Sequence, residues 1–325
     1  MPKPVITILV PMYNEEAVLP LLFDELNKVT ASMPECDFEY LFVDDGSRDA
    51  SLSIVKNYAA SDKRITYIGL SRNFGKERAL LAGFDHVNGD AVVVIDADLQ
   101  DPPELIREMI RWWQQGYQDV YAQRTSRTGE TWLKRTTSTL YYRILQSVTR
   151  VEIQADTGDF RLLDRACIEA LKQFRETERN TKAMFSWIGF RKKAIQYDRD
   201  ARAAGSTKFN YWRLLNLAID GLTSFTTAPL RASAVLGFAV SVFAFIYLLE
   251  IVIKGIITGS DVSGYPSTMA AILFLGGVQL LSLGIIGEYV GKVFNETKNR
   301  PPYLIGDTNV SGVETSKPAA RARKK

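Results

Sequence analysis

From Ala232 to Leu249 the chain reads ASAVLGFAVSVFAFIYLL, and from Val262 to Gly287 it again runs without a charge. Few environments accept such segments. The hydrocarbon layer of a bilayer is roughly 30 Å thick and takes about 20 helical residues to cross, so either run is long enough. A pair of buried core helices is the alternative, but the short polar link TGSDVSGYPS makes a membrane hairpin more natural. Arg231 precedes the first span, Lys292, Lys298 and Arg300 follow the second, and the link carries neither Lys nor Arg after Lys254. The positive-inside rule then places both termini, and with them the domain before the hairpin, in the cytoplasm, at a cell inner (plasma) membrane crossed more than once. Glu250 and Lys254, four apart, can pair on one helix face, and with Glu288 they read as side chains reaching for the membrane edge.

Just before the hairpin, FNYWRLLNLAIDGLTSFTTAPLR places Tyr211, Leu214, Leu215, Ala218, Leu222 and Phe225 at the spacing of one apolar helix face. With Trp212 and Arg213 at its start, it predicts an amphipathic helix lying in the membrane interface, a plain core helix being the alternative. The end of the chain, SKPAARARKK, is basic and poor in apolar residues, which predicts disorder.

Up to about residue 209 the pattern changes. VITILV, FEYLFVD, ITYIGL and AVVVID are short apolar runs, separated by helical stretches such as EAVLPLLFDELNKV and ELIREMIRWWQQ. Strands alternating with helices imply right-handed crossovers and a mainly parallel sheet, whose ligands bind beyond the carboxyl ends of the strands. The expected organisation is an α/β domain over 1–209, an interfacial helix over 210–228, and a first transmembrane helix over 229–255. A non-cytoplasmic loop over 256–266, a second transmembrane helix over 267–290 and a basic cytoplasmic tail over 291–325, partly disordered, complete it. The N-terminal MPKPVITILVPMYNEE reads as a strand and falls short of a signal peptide's apolar core.

A net charge of +3 gives no general affinity for nucleic acid. Cys36 and Cys167 lie far apart without a CxxC, so neither a disulfide framework nor a zinc ribbon follows. The single histidine, His86, falls at an expected helix end, which argues against a histidine-based triad.

The chemistry-bearing residues gather at strand ends. VVVIDADLQDPPE ends an aliphatic run in Asp96, Asp98 and Asp101, and charge beside an apolar strand is costly unless something compensates it. Asp96 and Asp98, two apart, point the same way in an extended segment and can hold a hard divalent cation, with Gln100 adding a neutral oxygen. FVDDGSRD closes a second strand with Asp44 and Asp45; DGS can be a simple turn, which leaves one acid over for a ligand such as the imide N–H of uracil. PMYNEE offers Tyr13 as a ring for a base and Glu15 as a charge at a helix start. LSRNFGKERA puts Arg72, Gly75 and Lys76 beside a helix N-terminus, which suits a diphosphate. Neither GxxxxGK[ST] nor GxGxxG is present, which counts against a P-loop ATPase and a nicotinamide enzyme.

Together VPMYNEE, VDDGSRD, LSRNFGKERALLAG and DADLQDPPE resemble the inverting family 2 glycosyltransferases with the GT-A nucleotide-sugar fold. Within them the chain is most similar to the polyprenyl-phosphate group, which includes dolichol-phosphate mannose synthase and the bactoprenol glucosyltransferases. The likeness continues through TGDFRLLDR (157–165) and RDARAAGSTKF (199–209) to the two spans. It implies a GT-A nucleotide-sugar-binding α/β domain joined to the interfacial helix and the hairpin. It also implies inverting transfer of a hexose, glucose foremost, from a UDP-sugar to polyprenyl (undecaprenyl) phosphate at the cytoplasmic face. By the resemblance, Pro11, Tyr13, Glu15, Asp44, Asp45, Arg72, Lys76 and Asp96 bind the nucleotide sugar, with Asp44 and Asp45 at the uridine. Asp96, Asp98 and Gln100 hold Mg²⁺ or Mn²⁺, and Asp159 is the base or the acceptor-positioning group. Arg124, Arg135, Arg199, Arg202 and Lys208 hold phosphates of donor and lipid. The partners implied are the donor, the lipid acceptor and the bilayer, with exposed apolar helix faces leaving room for a homo-oligomer. Alternatives are another sugar (mannose from GDP-mannose, or an amino sugar), a metal-dependent phosphohydrolase, and a membrane-anchored nucleotide-sugar sensor. A processive polysaccharide synthase is disfavoured because QxxRW is absent and QYDRD (196–200) does not supply it.

Overall fold

A computed structural model describes residues 2–124, 157–177, 179–197, 227–258 and 264–316. Strand β1 (Val5–Met12) shows how the sequence builds the sheet. Its side chains alternate between two apolar layers: Ile6, Ile8 and Val10 join one, and Leu9 joins the other. β4 (Ala91–Val94) repeats the pattern, with Ala91 and Val93 on the first face and Val92 and Val94 on the second. A strand apolar on both sides needs cover on both sides, and the helices supply it. On the first face lie α1 (Leu19–Ala31), α2 (Ser51–Ser61) and α4 (Leu105–Gln114), through residues such as Leu22, Val55 and Ile106. On the second lie α3 (Lys76–His86), α5 (Arg165–Lys172) and α6 (Thr181–Trp187), through Leu80, Ile168 and Phe185.

Helix starts follow local chemistry. Pro20 stands in the first turn of α1, where a missing N–H costs nothing. The Asp164 side chain accepts the Ala166 N–H at 2.9 Å to cap α5, and Asn180 does the same for α6 through Ala183. His86 closes α3 half-buried, and burial favours its neutral ring.

The remaining strands are β2 (Asp37–Asp44), β3 (Ile65–Leu70), β5 (Asp119–Arg124), β6 (Thr157–Asp164), β7 (Lys192–Tyr197) and β8 (Ile305–Thr308). They form one eight-stranded sheet in the order β7-β5-β6-β4-β1-β2-β3-β8. β1 is parallel to both β2 and β4, β2 to β3 and β5 to β7; β6 and β8 run antiparallel to their neighbours. This is the expected GT-A-like α/β arrangement with a mostly parallel sheet. After β3 the chain crosses back over β1 to lay down β4 on its other side. That reversal opens a crevice between the carboxyl ends of β1 and β4, the standard ligand position in such sheets.

The two long helices, α7 (Ala228–Thr258) and α8 (Tyr265–Thr297), form a second compact unit and pack against each other. Windows of each, Pro229–Tyr247 and Phe274–Thr297, are long and apolar enough to cross a membrane, and no residue of either window is buried within the protein. Phe238 and Phe243 are each 72% exposed. An apolar surface of that extent suits a lipid environment and points to membrane association. The interfacial helix expected over 210–228 lies outside the described residues but for its last two positions.

The chain beyond 291 differs from the basic tail read in the sequence. α8 continues to Thr297, and from Arg300 the chain rejoins the sheet unit. β8 pairs with β3, the Thr308 hydroxyl donates to the Tyr67 carbonyl at 2.7 Å, and the Tyr67 N–H donates to Asn309 Oδ1 at 2.7 Å. Lys56 pairs with Asp307, and the Tyr303 hydroxyl donates to Asp85 of α3 at 2.7 Å. The α/β domain therefore extends beyond residue 209 to include this returning segment.

Candidate functional site

At the crevice the end of β1 is laced to the loop after β2. The Asn14 N–H donates to Ser47 Oγ at 2.9 Å, the Arg48 N–H returns to Asn14 Oδ1 at 2.8 Å, and the Glu15 N–H donates to Ser51 Oγ at 2.8 Å. Asn14 takes a left-handed φ of 55°, a conformation asparagine tolerates, and this turns Tyr13 and Glu15 toward the crevice. Tyr13 keeps 40% of its surface exposed.

Asp44 and Asp45 both have structural partners. The buried Asp44 accepts the Ser47 N–H at 3.1 Å, so it forms the DGS turn itself. Asp45 accepts the N–H groups of Phe74 and Gly75 at 2.7 and 2.9 Å and fastens the loop after β3. Burial raises both carboxyls above the ordinary range, partly offset by these N–H donors. Gly46 has φ 69°, and a Cβ there would meet the Arg72 carbonyl carbon at 2.4 Å, so only glycine lets the two loops approach this closely. Arg72 lies with its guanidinium 4.2 Å from the Phe74 ring centroid and does not line the cavity between the loops.

That cavity measures about 300 Å³ and draws on the ends of four parallel strands, β1 to β4. Pro11, Tyr13 and Glu15 come from β1, Asp45 from β2, Asn73, Gly75 and Lys76 from the β3–α3 junction, and Asp96 and Asp98 from beyond β4. Asp44 and Gln100 lie outside its lining. Asn73 is a member the sequence reading passed over, although it stands inside the very loop singled out.

Lys76, the first residue of α3, organises the acids. Its Nζ lies 2.6 and 2.8 Å from the two oxygens of Asp96 and 2.5 Å from Asp159 Oδ2. Asp159 reaches this point from β6, which is antiparallel to β4. Burial pushes Asp159 upward, but Lys76 and Lys182 outweigh it and hold the carboxyl below its ordinary value. Asp96 goes the other way: burial dominates over Lys76, and the carboxyl rises. Glu15 also rises, through burial first and then through Asp98, Asp49 and Asp96. Among the described residues, the acids that line the crevice outnumber its lysine. Lys182 was not foreseen; its only sequence signal is a place in the first turn of α6.

A second cluster stands beside Asp159. The Tyr197 hydroxyl donates to the buried Asp101, the Arg124 Nε–H donates to the Tyr197 oxygen at 3.3 Å, and burial pushes the phenol up to about 12. Arg124 is thus held at the end of β5 by the third acid of DADLQD, a partner the sequence did not identify. Arg161 of TGDFR is fully buried against Asp119 at 3.1 Å and stacks 3.8 Å from the Phe185 ring centroid. Arg135, Arg199, Arg202 and Lys208 lie outside the described residues.

The donor set suits a hard divalent cation. Asp96 and Asp98 offer carboxylate oxygens, and Gln100 Oε1 and Asp159 Oδ1 are buried without a hydrogen-bond partner. Among the described residues no three Asp, Glu, His or Cys side chains converge closely enough to hold a metal by themselves. Such a site fits an ion whose shell is completed by substrate phosphates and water.

Comparison with known proteins extends over both units. Residues 7–172 match the family described as Glycosyl transferase family 2, and residues 228–293 match the GtrB C-terminal hairpin. An uncharacterized glycosyltransferase, sll0501, of Synechocystis is 47% identical over 302 residues, covering 93% of this chain and 95% of that protein. The uncharacterized glycosyltransferase YkcC of Bacillus subtilis is 42% identical, covering 92% of each chain. The bactoprenol glucosyl transferase of Shigella phage SfX is also 42% identical, covering 92% of this chain and 98% of its own. These similarities run through the crevice residues and the hairpin alike.

Proposed function

The chain belongs to glycosyl transferase family 2, and from that premise we propose that it transfers glucose from UDP-glucose to polyprenyl phosphate, with inversion, at the cytoplasmic face of a membrane. The observation that carries the reading is the convergence of four strand ends on one acid-lined cavity, with Lys76 as the cation that lines it among the described residues. Glucose and the lipid acceptor draw their support from the likeness to the bactoprenol glucosyl transferase along nearly the full chain. The two unburied apolar helices give a lipid acceptor a physical reason, because a polyprenol cannot leave the bilayer.

In this reading Tyr13 stacks on the uracil, and Asp45 shapes the floor beneath it while holding the 72–75 loop. The free N–H groups at the start of α3 and the Lys76 ammonium receive the diphosphate. Asp96 and Asp98, with Gln100 behind them, would hold Mg²⁺ or Mn²⁺, and the ion would supply positive charge against that growing on the departing UDP. The acceptor is a phosphate monoester with a second pKa near 6, so it is largely dianionic at neutral pH and needs little help from a base. Asp159 orients that phosphate or takes its residual proton, and Arg124, fixed by Asp101 and Tyr197, lies where it can compensate the approaching anion. Back-side attack on the anomeric carbon then inverts it.

The test is a transfer assay with the purified full-length protein, undecaprenyl phosphate and a panel of radiolabelled UDP- and GDP-sugars. Label should enter the lipid fraction from UDP-glucose, and it should fail to do so in excess EDTA or in Asp96→Ala and Asp98→Ala. Efficient transfer from a different sugar overturns the donor assignment, and undiminished transfer under chelation overturns the metal.

A further inference from the structure

Both oxygens of Asp96 are already engaged by Lys76, at 2.6 and 2.8 Å. A divalent ion bound by Asp96 needs one of those oxygens at about 2.1 Å. Ion and ammonium would then share one carboxylate at a separation where two like charges repel strongly. The lysine is the partner able to yield. Its side chain is 42% exposed, it is the first residue of α3, and its four-carbon stem is flexible. Gly75 just before it has φ 97°, and a Cβ there would meet nothing within 4 Å. A diphosphate received at the α3 N-terminus would offer the lysine an alternative anion.

We propose that Lys76 is a resident counter-cation of the donor site, bridging Asp96 and Asp159 until a nucleotide diphosphate and a divalent ion arrive together and displace it. This rests on the reading that the cavity takes both of those ligands. Lys76 then moves from carboxylate to phosphate, Asp96 turns to the metal, and Asp159 loses its strongest partner just as the donor is in place. Metal alone must compete with a tethered cation, so it binds weakly. Nucleotide removes the competitor, so metal binds well. Asp159 becomes available to an acceptor only in the loaded site, which guards against misplaced lipid phosphate before the donor arrives.

Manganese binding to the full-length protein in detergent, followed by electron paramagnetic resonance of free Mn²⁺ without acceptor or sugar, separates the alternatives. Lys76→Met removes the charge and keeps the stem; Lys76→Arg keeps the charge. Without nucleotide, Lys76→Met should bind Mn²⁺ roughly tenfold more tightly than wild type, as expected for loss of one partly screened positive charge. Lys76→Arg should behave like wild type. Unchanged or weaker Mn²⁺ affinity in a Lys76→Met protein that melts like wild type overturns the proposal. Should that variant fail to fold, the wild type still decides: Mn²⁺ bound as tightly without UDP as with it overturns the exchange. If wild type takes up no Mn²⁺ even with UDP, the metal reading itself falls, a different result from an intact metal site indifferent to Lys76.

Discussion

Arg161 is 1% exposed and Asp119 not at all, and the two are paired inside the sheet at 3.1 Å. Burial raises the Asp119 carboxyl, and Arg161 and Lys192 work against that rise. Removing one partner leaves the other charge buried and uncompensated, a change that costs about 3–5 kcal/mol, whereas replacing both by apolar residues costs much less. Asp119→Asn should therefore lower the Tm by several degrees or more, and Asp119→Leu with Arg161→Met should recover most of the loss. Thermal unfolding followed by tryptophan fluorescence checks this, and a double variant worse than the single would show that packing, not charge, sets the cost. Individual residues were legible where the neighbouring sequence alone determines their place. Asp96, Asp98, Lys76 and Glu15 were found at the cavity because each lies within four residues of a strand end or opens a helix. The partners of Asp45, Asp101 and Arg161 were not legible, since Phe74, Tyr197 and Asp119 meet them only across the folded sheet. A carboxylate that builds a loop and one that binds a ligand look alike in one dimension.

The same limit shows in whole elements. Strands β1 to β4 and the helices between them were readable because apolar periodicity and strand-end polar residues recur along the chain. β8 was not. It is four residues long, its partner β3 lies more than 230 positions earlier, and the basic run after it dominates the local composition. Yet it covers the outer edge of β3, where exposed N–H and C=O groups would otherwise invite pairing with another chain. The Lys56–Asp307 and Asp85–Tyr303 contacts tie the same segment to α2 and α3. A chain ended after Asn299 should therefore melt lower than the full-length protein and elute from size exclusion in detergent partly as aggregate. A chain ended after Ser316 should match full length in both measurements. Equal behaviour of the two truncations would mean that β8 contributes nothing to the sheet's integrity.

At the scale of the molecule, the sheet constrains how the chain crosses the bilayer. β3 precedes the two apolar helices and β8 follows them, and the two strands are hydrogen-bonded neighbours. For two helices proposed to cross a bilayer, this pairing requires the chain to leave and return on one side, so the proposed number of crossings is even whatever the charge distribution. Lysine and arginine then choose the side: Arg231, Lys292, Lys298 and Arg300 flank the hairpin, and the 259–263 link has none. The two arguments are independent, one from backbone pairing and one from charge, and both support the proposed two-span hairpin with its flanks in the cytoplasm. The native cysteines make this testable with little background. Burial pushes the Cys167 thiol up to about 12 and raises Cys36 as well, so neither is an effective nucleophile near neutral pH. A membrane-impermeant maleimide applied to intact cells should label Ser260→Cys and spare Ser311→Cys, an exposed position in the returning segment. After lysis both should react. Labelling of Ser311→Cys from outside would place the sheet on the wrong face for a cytoplasmic nucleotide sugar, and labelling of both positions from one side would leave the hairpin uncrossed.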